Sequence, residues 1–273
     1  LERGTDLFQA EFARMMPLGA WVFREVPRLF IHHQIHFVYS KRFMEAHGGS
    51  GASYLHEIMR VQELAYLPHF DGVVKFSEED RHVLLSQLPS ASVYTSPFPI
   101  PADVGIAREV SADFNGKFLL VASEGHDPNR DALEWLLGEI WPIIVKDLPS
   151  AQLVVVGHWS RTAQTHFASP SVSFPGFVND LSATLRGGIM LVPMRIGSGI
   201  RVKILVALAQ GIPVVTTPVG CEGLLVRNDK ELLSRDTALQ FADAAVKLAL
   251  KPELRRRLAA AGLAAVAKHY SVE

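Results

Sequence analysis

The sequence predicts an α/β protein with mostly parallel sheets that are covered by helices on both faces. Short apolar runs recur through the second half, and they are continuous rather than alternating, as expected for strands buried on both faces. Longer helix-like stretches separate these runs. Strands and helices that alternate in this way form βαβ units and a doubly wound sheet.

The composition is that of an ordinary globular chain with room for two domains. It has 273 residues, a net charge of −1 and 48% hydrophobic residues. Because there is no excess of basic charge, nucleic acid is not an expected partner, although a local basic stripe leaves peripheral membrane contact open. The single cysteine, Cys221, excludes a disulfide within the chain and fits a reducing, cytoplasmic compartment, where the inner membrane face remains an alternative location.

The elements follow from these patterns in chain order. In the second half we predict strands at 117–122, 152–156, 172–174, 189–192 and 213–216. The helix-like stretches there are 129–145, 179–185, 200–210, 236–250 and 252–269. The first half is less regular, with strands predicted at 29–32, 72–76 and 92–94 and helices at 54–67 and 78–87.

A proline-rich stretch separates the two halves. Pro97, Pro99 and Pro101 resist both helix and central strand, so we place a linker at 97–115. The predicted domains are therefore residues 1–108 and residues 109–273.

A glycine loop before one predicted helix is the most informative segment. Gly197 and Gly199 allow a sharp turn and a close approach to a ligand, and the free N–H groups of the following helix favour an anion. Arg201 and Lys203 oppose the helix dipole unless an anion lies between them and the loop. The segment predicts a diphosphate site, while a solvated Arg201 and a Lys203 whose stem lies along the helix remain an equal alternative.

Two further strand ends carry groups that could contact a nucleotide. Ser123, Gly125 and Asn129 follow the first strand of the second half, at the edge where open α/β sheets bind ligands. Phe177 and Val178 follow another strand and offer an aromatic ring and free backbone for a base. When each segment is taken alone, a plain turn is the better explanation.

Taken together, six segments resemble the retaining glycosyltransferases of the GT-B fold, family-four type. They share the family's order of motifs, including Pro-Asn-x-x-Ala-Leu, Phe-x-Gly-x-Val-x-Asp-Leu and Gly-x-Gly-x-x-x-Lys-Ile-Leu. The matching segments are 128–133, 156–157, 174–181, 193–205, 211–217 and 220–224. The resemblance implies two Rossmann-like domains, of which residues 109–273 bind the nucleotide-sugar donor.

The resemblance also implies roles for residues of the donor domain. Arg201 and Lys203 would neutralise the diphosphate, and Glu222 would lie near the sugar or ribose. Phe177 and Val178 would border the base. The loop that meets the diphosphate would comprise Gly197, Ser198, Gly199 and Ile200. Relatives often carry a ribose-binding Glu where this chain has Val206, which puts nucleoside recognition in question.

The first half resembles the acceptor-side domain, and it looks incomplete. His33 best matches the histidine that faces the transferred sugar in that family, so it joins Arg201, Lys203 and Glu222 as an expected catalytic residue. The first βαβ units, on the order of 80–100 residues, would be missing.

The resulting hypothesis is sugar transfer from a UDP- or GDP-sugar to an acceptor hydroxyl in glycan or cell-surface polysaccharide biosynthesis. The acceptor would be a glycan, a lipid-linked molecule or a small molecule. We expect no cofactor and no metal, because His32, His33 and His36 lack the Glu of a zinc-protease motif and no Asp-x-Asp occurs. The alternatives are a nucleotide-sugar-binding module without turnover and a sugar-nucleotide epimerase of the same fold.

Overall fold

A computed structural model describes Gly4 and residues 6–21, 25–48, 51–101, 104–107, 110 and 113–271. These residues form two compact units. The first contains the described residues of Leu1–Phe98 together with two short later segments, Ile196–Ile200 and Glu222–Leu224. The second contains those of Pro99–Arg195, Arg201–Cys221 and Leu225–Glu273. The predicted domain boundary, between residues 108 and 109, lies outside the described residues.

The first unit is built on a parallel sheet of four strands in the order β1-β2-β3-β4. The strands are β1 (Phe8–Glu11), β2 (Arg28–Ile31), β3 (Gly72–Lys75) and β4 (Val93–Thr95). Phe30 and Val73 pair in the sheet and are almost fully buried, so one face of the sheet forms the core of this unit. The sequence predicted three of these strands within one residue at each end and missed β1.

The helices of the first unit are α1 (Met16–Trp21), α2 (His36–His47), α3 (Ala52–Tyr66) and α4 (Glu78–Gln87). Helix α4 has its predicted bounds because Ser77 caps it: the Ser77 hydroxyl accepts a hydrogen bond from the Asp80 N–H, and three acidic residues in its first turn favour the helix dipole. The sequence did not predict α1 or α2.

The second unit contains a parallel sheet of six strands in the order β10-β9-β8-β5-β6-β7. The strands are β5 (Lys117–Val121), β6 (Gln152–Val156), β7 (Val172–Gly176), β8 (Ile189–Val192), β9 (Val214–Thr216) and β10 (Leu233–Ser234). From β5 the chain adds β6 and β7 on one side of β5, and then β8, β9 and β10 on its other side. The carboxyl ends of β5 and β8 therefore flank the point where the strand order reverses, which is where doubly wound sheets bind ligands.

Helices cover this second sheet. They are α5 (Asp127–Trp135), α6 (Trp141–Asp147), α7 (Arg161–His166), α8 (Leu181–Leu185), α9 (Val202–Ala209), α10 (Pro218–Cys221), α11 (Ala238–Leu250) and α12 (Pro252–His269). Strands β5, β6 and β8 carry the buried side chains Phe118, Leu153 and Ile189, which belong to one apolar core. None of the described helices is both long and apolar enough to span a membrane.

Two predicted helices need correction. The helix predicted at 129–145 is interrupted by a π-helical turn, Leu136–Ile140, immediately before α6. Pro142 lacks the N–H that a continuous α-helix would need at this point, which explains the interruption. The helix predicted to begin at residue 200 begins at Val202, so Arg201 precedes it rather than lying in its first turn.

Candidate functional site

Basic side chains gather at the reversal point of the second sheet. Lys203, in the first turn of α9, donates a hydrogen bond of 3.0 Å to Oδ1 of Asn129, in the first turn of α5. Burial, together with the positive charge of Arg201, lowers the pKa of Lys203 to about 8. Two helices that follow neighbouring strands thus place this ammonium group among protein atoms and near a second cation.

His126 belongs to the same group of charges. It lies directly before α5, and its pKa is lowered by burial and then by the charges of Lys203 and Arg201, while Asp127 opposes the shift. Within the described part of the chain, Lys203 forms no ion pair. Since a buried charge is costly unless it is paired, this arrangement favours an anion as its ligand.

Arg201 occupies the N-cap position of α9, where its backbone is not helical. Its side chain is buried and makes no capping hydrogen bond to the helix. The first backbone N–H groups of an α-helix have no partner within the helix, so the start of α9 offers donors to an anion beside Arg201 and Lys203. Val206, in the middle of the same helix, is buried.

The loop after β5 is fixed by its own hydrogen bonds. The Ser123 hydroxyl accepts from the His158 N–H over 3.2 Å, and the Asn129 amide donates to the Ser123 carbonyl oxygen over 3.0 Å. Gly125 has open space around it, with no atom within 4 Å of the position that a Cβ would take. Ser123 and Asn129 thus lie together with Lys203 at the reversal point, as the strand-end argument expected.

Phe177 and Val178 lie elsewhere in the second unit, directly after the edge strand β7. The Phe177 side chain is 83% exposed, and among the described residues no ring stacks on it. An exposed aromatic ring at a strand end can accept a flat ligand, so the prediction that it borders a base stays a prediction.

The glycine loop Ile196–Ile200 belongs to the first unit and packs on the segment between β2 and α2. The Ser198 hydroxyl accepts a hydrogen bond of 3.1 Å from the Ile35 N–H. Gly199 has a φ of +75°, and a Cβ there would clash with the carbonyl oxygen of His33. Glycine is therefore required at this position both for its backbone conformation and for its close contact.

Arg42 of α2 joins this loop to Glu222. Its guanidinium donates two hydrogen bonds of 2.7 Å to the two carboxylate oxygens of Glu222 and a third of 2.7 Å to the Gly197 carbonyl oxygen. The hydrogen bonds to Glu222 raise the pKa of Arg42, against the effect of burial. A carboxylate has about four lone-pair sites, so Glu222 keeps acceptor capacity for a ligand hydroxyl. The sequence did not predict Arg42, because α2 was not recognised.

His33 lies just beyond the carboxyl end of β2. Its Nε2 is 3.0 Å from an oxygen of Glu11, the last residue of β1. The ring stacks on Phe12, with 4.6 Å between ring centroids and 8° between planes, and meets the edge of Phe76 at 5.2 Å. Glu11 was not among the predicted site residues, since β1 was missed.

The neighbouring histidines form a different cluster. One ligand atom from each of His32, His36 and Glu63 lies within 4.8 Å of the others, the spacing of a metal site. However, Glu63 already accepts hydrogen bonds from the backbone N–H groups of His36 (2.9 Å) and Phe37 (3.1 Å) and bonds to His32 Nε2 (2.7 Å). The carboxylate thus serves as a buried cap for α2.

The charges in this cluster agree with a structural role. Burial, together with the charge of Lys75, lowers the pKa of His32 to about 4, so the ring is neutral at pH 7. Burial would raise the pKa of Glu63, but the hydrogen bonds from His32 and His36 lower it to about 2. The contact is therefore a hydrogen bond from a neutral imidazole to a carboxylate rather than an ion pair.

Comparison with known proteins identifies the second half. Residues 116–251 match the family described as glycosyl transferases group 1. This segment is a glycosyl transferases group 1 domain. No curated protein sequence matches the chain. The glycine loop, Arg201 and Lys203 all lie within the matched range, whereas the first sheet lies outside it.

Solved structures extend the likeness to the whole chain. S. aureus TarM matches with a TM-score of 0.75 at 13% identity over 97% of this chain. Sucrose-phosphate synthase from Thermosynechococcus elongatus matches with a TM-score of 0.79 at 16% identity over 99% of this chain. Anabaena HepE bound to UDP and glucose matches with a TM-score of 0.69 at 13% identity over 98% of this chain. This chain spans 52% of the TarM chain, 71% of the synthase and 74% of HepE. At these identities the likeness establishes the fold, which is GT-B.

Proposed function

We propose that this protein transfers a sugar from a nucleoside-diphosphate sugar to an acceptor hydroxyl. The observation that carries the proposal is the group of basic side chains, Arg201, Lys203 and His126, at the reversal point of the sheet in a group 1 domain. An ammonium group that is largely removed from solvent and has no ion pair among the described residues favours an anion of high charge density, and a diphosphate has that chemistry. Structures of the similar proteins TarM and HepE contain UDP.

Each predicted donor contact has a place in this proposal. Arg201 and Lys203 neutralise the diphosphate together with the N-terminus of α9. Glu222, held by Arg42, accepts hydrogen bonds from the donor sugar. The remaining donor contacts fall into three groups. The loop that meets the diphosphate contains Gly197, Ser198, Gly199 and Ile200, and the end of β5 is followed by Ser123, Gly125 and Asn129. Phe177 and Val178 border the base.

The reaction breaks the bond between the anomeric carbon and the phosphate oxygen through an oxocarbenium-like transition state. The electron pair leaves with the nucleoside diphosphate, whose growing charge is stabilised by Arg201 and Lys203 without a metal ion. The acceptor oxygen then bonds to the anomeric carbon as its O–H bond breaks and the proton is released, and the configuration is retained. His33 contacts the sugar that is being transferred.

We place this reaction in glycan or cell-surface polysaccharide biosynthesis. The similar WaaG is a glycosyltransferase involved in lipopolysaccharide biosynthesis. The donor is a UDP- or GDP-sugar, and the acceptor is a glycan, a lipid-linked molecule or a small hydroxyl compound. The protein acts in the cytoplasm or at the inner face of the membrane as a peripheral protein.

Calorimetry with UDP-, GDP- and ADP-sugars tests donor binding. Arg201→Ala should weaken binding by roughly 1.5–3 kcal/mol, the range for a hydrogen bond to a charged group. Lys268→Met, which removes an exposed lysine of α12, is the matched control and should bind like the wild type. Absence of binding to every donor would overturn the proposal.

Turnover and stereochemistry need a second experiment. Incubation of the bound donor with candidate acceptors should release nucleoside diphosphate and form a glycoside, and proton NMR of the first product should show the donor's anomeric configuration. Activity should persist in a chelator. An inverted product would contradict retention, and loss of activity that divalent metal restores would contradict the metal-free mechanism.

A second candidate function is a binding module without turnover. The observation that favours it is the buried Val206 in place of the Glu that holds the ribose in relatives. The same two experiments separate the candidates, because a module binds the donor with no product from any acceptor. Product formation excludes the module.

A further inference from the structure

The carboxyl ends of β1 and β2 bring Glu11 and His33 together. The two strands are parallel neighbours, and Glu11 pairs in register with Ile31, the last residue of β2. The His33 Nε2 lies 3.0 Å from Oε2 of Glu11, while the side-chain amide of Gln9 donates to Oε1 over 2.8 Å. Both carboxylate oxygens are thus engaged, and the carboxylate has a fixed orientation towards the imidazole.

Aromatic rings fix the imidazole itself. Phe12 stacks on its face and Phe76 meets it edge-on. Phe12 adopts a φ of 62°, a left-handed backbone conformation that is uncommon for a bulky residue. Its side chain is 63% exposed, so burial of the ring does not explain this conformation. Backbone strain of this kind clusters at functional sites, where the surrounding structure maintains it.

The hydrogen bond also determines which nitrogen of His33 carries the proton. The hydrogen bond from His33 lowers the pKa of Glu11, so the carboxylate is ionised at neutral pH and can only accept. The neutral ring therefore carries its hydrogen on Nε2, and Nδ1 has a lone pair. Among the described residues, Nδ1 receives no hydrogen bond, and the His33 side chain is 29% exposed.

The adjacent His32 shows the contrast. It is buried, and its Nε2 bonds to the buried cap Glu63. His33 has a partly exposed ring and a partner carboxylate whose side chain is 40% exposed. Of the two, His33 has the access that a group reacting with an external hydroxyl requires.

We infer that Glu11 and His33 form a carboxylate–imidazole pair that takes the proton of the attacking acceptor hydroxyl. This inference rests on the proposed sugar transfer. The acceptor oxygen bonds to the anomeric carbon as its O–H bond breaks, and the proton moves to His33 Nδ1. The bond from the anomeric carbon to phosphate breaks, and its electron pair leaves with the nucleoside diphosphate. Glu11 stabilises the imidazolium that forms, and the proton then passes to water.

Glu11→Gln separates charge from position. The glutamine amide oxygen can still accept the hydrogen bond from Nε2, so ring orientation is retained while the negative charge is lost. We expect kcat to fall by roughly 10- to 100-fold with little change in donor affinity. His33→Ala should lower kcat at least as much, and the double variant should match His33→Ala. Glu57→Gln, at a glutamate of α3 whose side chain is 58% exposed, is the control.

Three outcomes would overturn the inference. They are wild-type kcat in Glu11→Gln, a further loss when Glu11→Gln is added to His33→Ala, and equal losses in Glu11→Gln and Glu57→Gln. Calorimetric donor binding by each variant shows that it is folded. A wild type that neither binds nor turns over a donor would refute the proposed function itself.

Nitrogen-15 NMR of the imidazole gives a readout that does not depend on activity. In protein labelled with ¹⁵N-histidine, the His33 signals, assigned from their loss in His33→Ala, should show hydrogen on Nε2 in the neutral ring. Glu11→Ala should produce a mixture of the two tautomers. A wild-type ring with its hydrogen on Nδ1 would refute the pair even if the protein transfers sugar.

Discussion

Lys203 gives the sharpest test of the proposed anion site. It is an ammonium group held among protein atoms with an amide partner, Asn129, and a cationic neighbour, Arg201. Burial and that neighbour lower its pKa from 10.5 to about 8. The protein without ligand is therefore less stable than it would be with a neutral side chain at this position.

The sign of the effect follows from proton linkage. Below pH 8 both the folded and the unfolded protein hold the proton, and the full cost of the charge is present. Between pH 8 and 10.5 the folded protein loses the proton first, so its stability rises. The lowered pKa corresponds to roughly 3 kcal/mol, and because the side chain is partly exposed we expect about half of this.

Urea unfolding of wild type and Lys203→Met at pH 7 and pH 10 measures how much the charge of Lys203 lowers the free energy of unfolding. Methionine is of similar length and carries no charge, and the loss of the hydrogen bond to Asn129 affects both pH values alike. Other titrating groups contribute equally to the free energy of unfolding of both proteins, so their contributions cancel in the difference between wild type and variant. We expect the wild type to gain about 1.5 kcal/mol relative to Lys203→Met as the pH rises.

A difference that does not change between pH 7 and pH 10 would refute the reasoning, because Lys203 would then be an ordinary solvated lysine. Donor binding supplies a second check. A diphosphate should restore the proton to Lys203, so binding near pH 8.5 should take up roughly 0.7 of a proton. Calorimetry in buffers with different ionisation enthalpies measures that uptake, which should be absent in Lys203→Met.

Three further predictions concern the first unit. In a double-mutant cycle for unfolding, Arg42→Ala and Glu222→Ala should show a coupling of roughly 1 kcal/mol, and additive effects would exclude a contributing ion pair. Glu63→Gln should lower the free energy of unfolding, measured in urea at pH 6, by about 2 kcal/mol. The wild type should lose stability as the pH falls from 4.5 towards 2, and this loss should be smaller in Glu63→Gln. The same pH dependence in both proteins would exclude the buried cap. Gly199→Ala should destabilise the protein by roughly 1–3 kcal/mol, whereas Gly125→Ala, with open space around it, should stay within about 0.5 kcal/mol in the same unfolding assay.

Five of the six strands of the second sheet, all but β10, could be predicted because their signals are local. Strands such as β6 and β8 are buried on both faces, so each appears in the sequence as an unbroken apolar run. The glycine loop and the cations after it are also contiguous. Lys203 and Asn129 follow different strands, and their meeting was predictable because parallel strands end at the same edge of the sheet.

The first unit was harder to predict because its order depends on distant contacts. Strand β1 alternates burial and exposure over only four residues and pairs with a single neighbour. The N-cap residue of α2 is Ile35, which provides no side-chain cap, and the capping acceptor is Glu63 from α3 instead. A helix whose cap comes from another element has no start signal in its own sequence.

The same reason explains which functional residues were missed. Arg201 and Lys203 carry their signal locally, because cations at the start of a helix oppose its dipole wherever the helix lies. Arg42 and Glu11 are ordinary charged residues in the sequence, and each acquires a role only by meeting its partner. A cation that opposes its own helix makes an anion site a candidate from the sequence alone, beside the alternative of a solvated side chain, whereas a charge paired with another side chain can be recognised only from the fold.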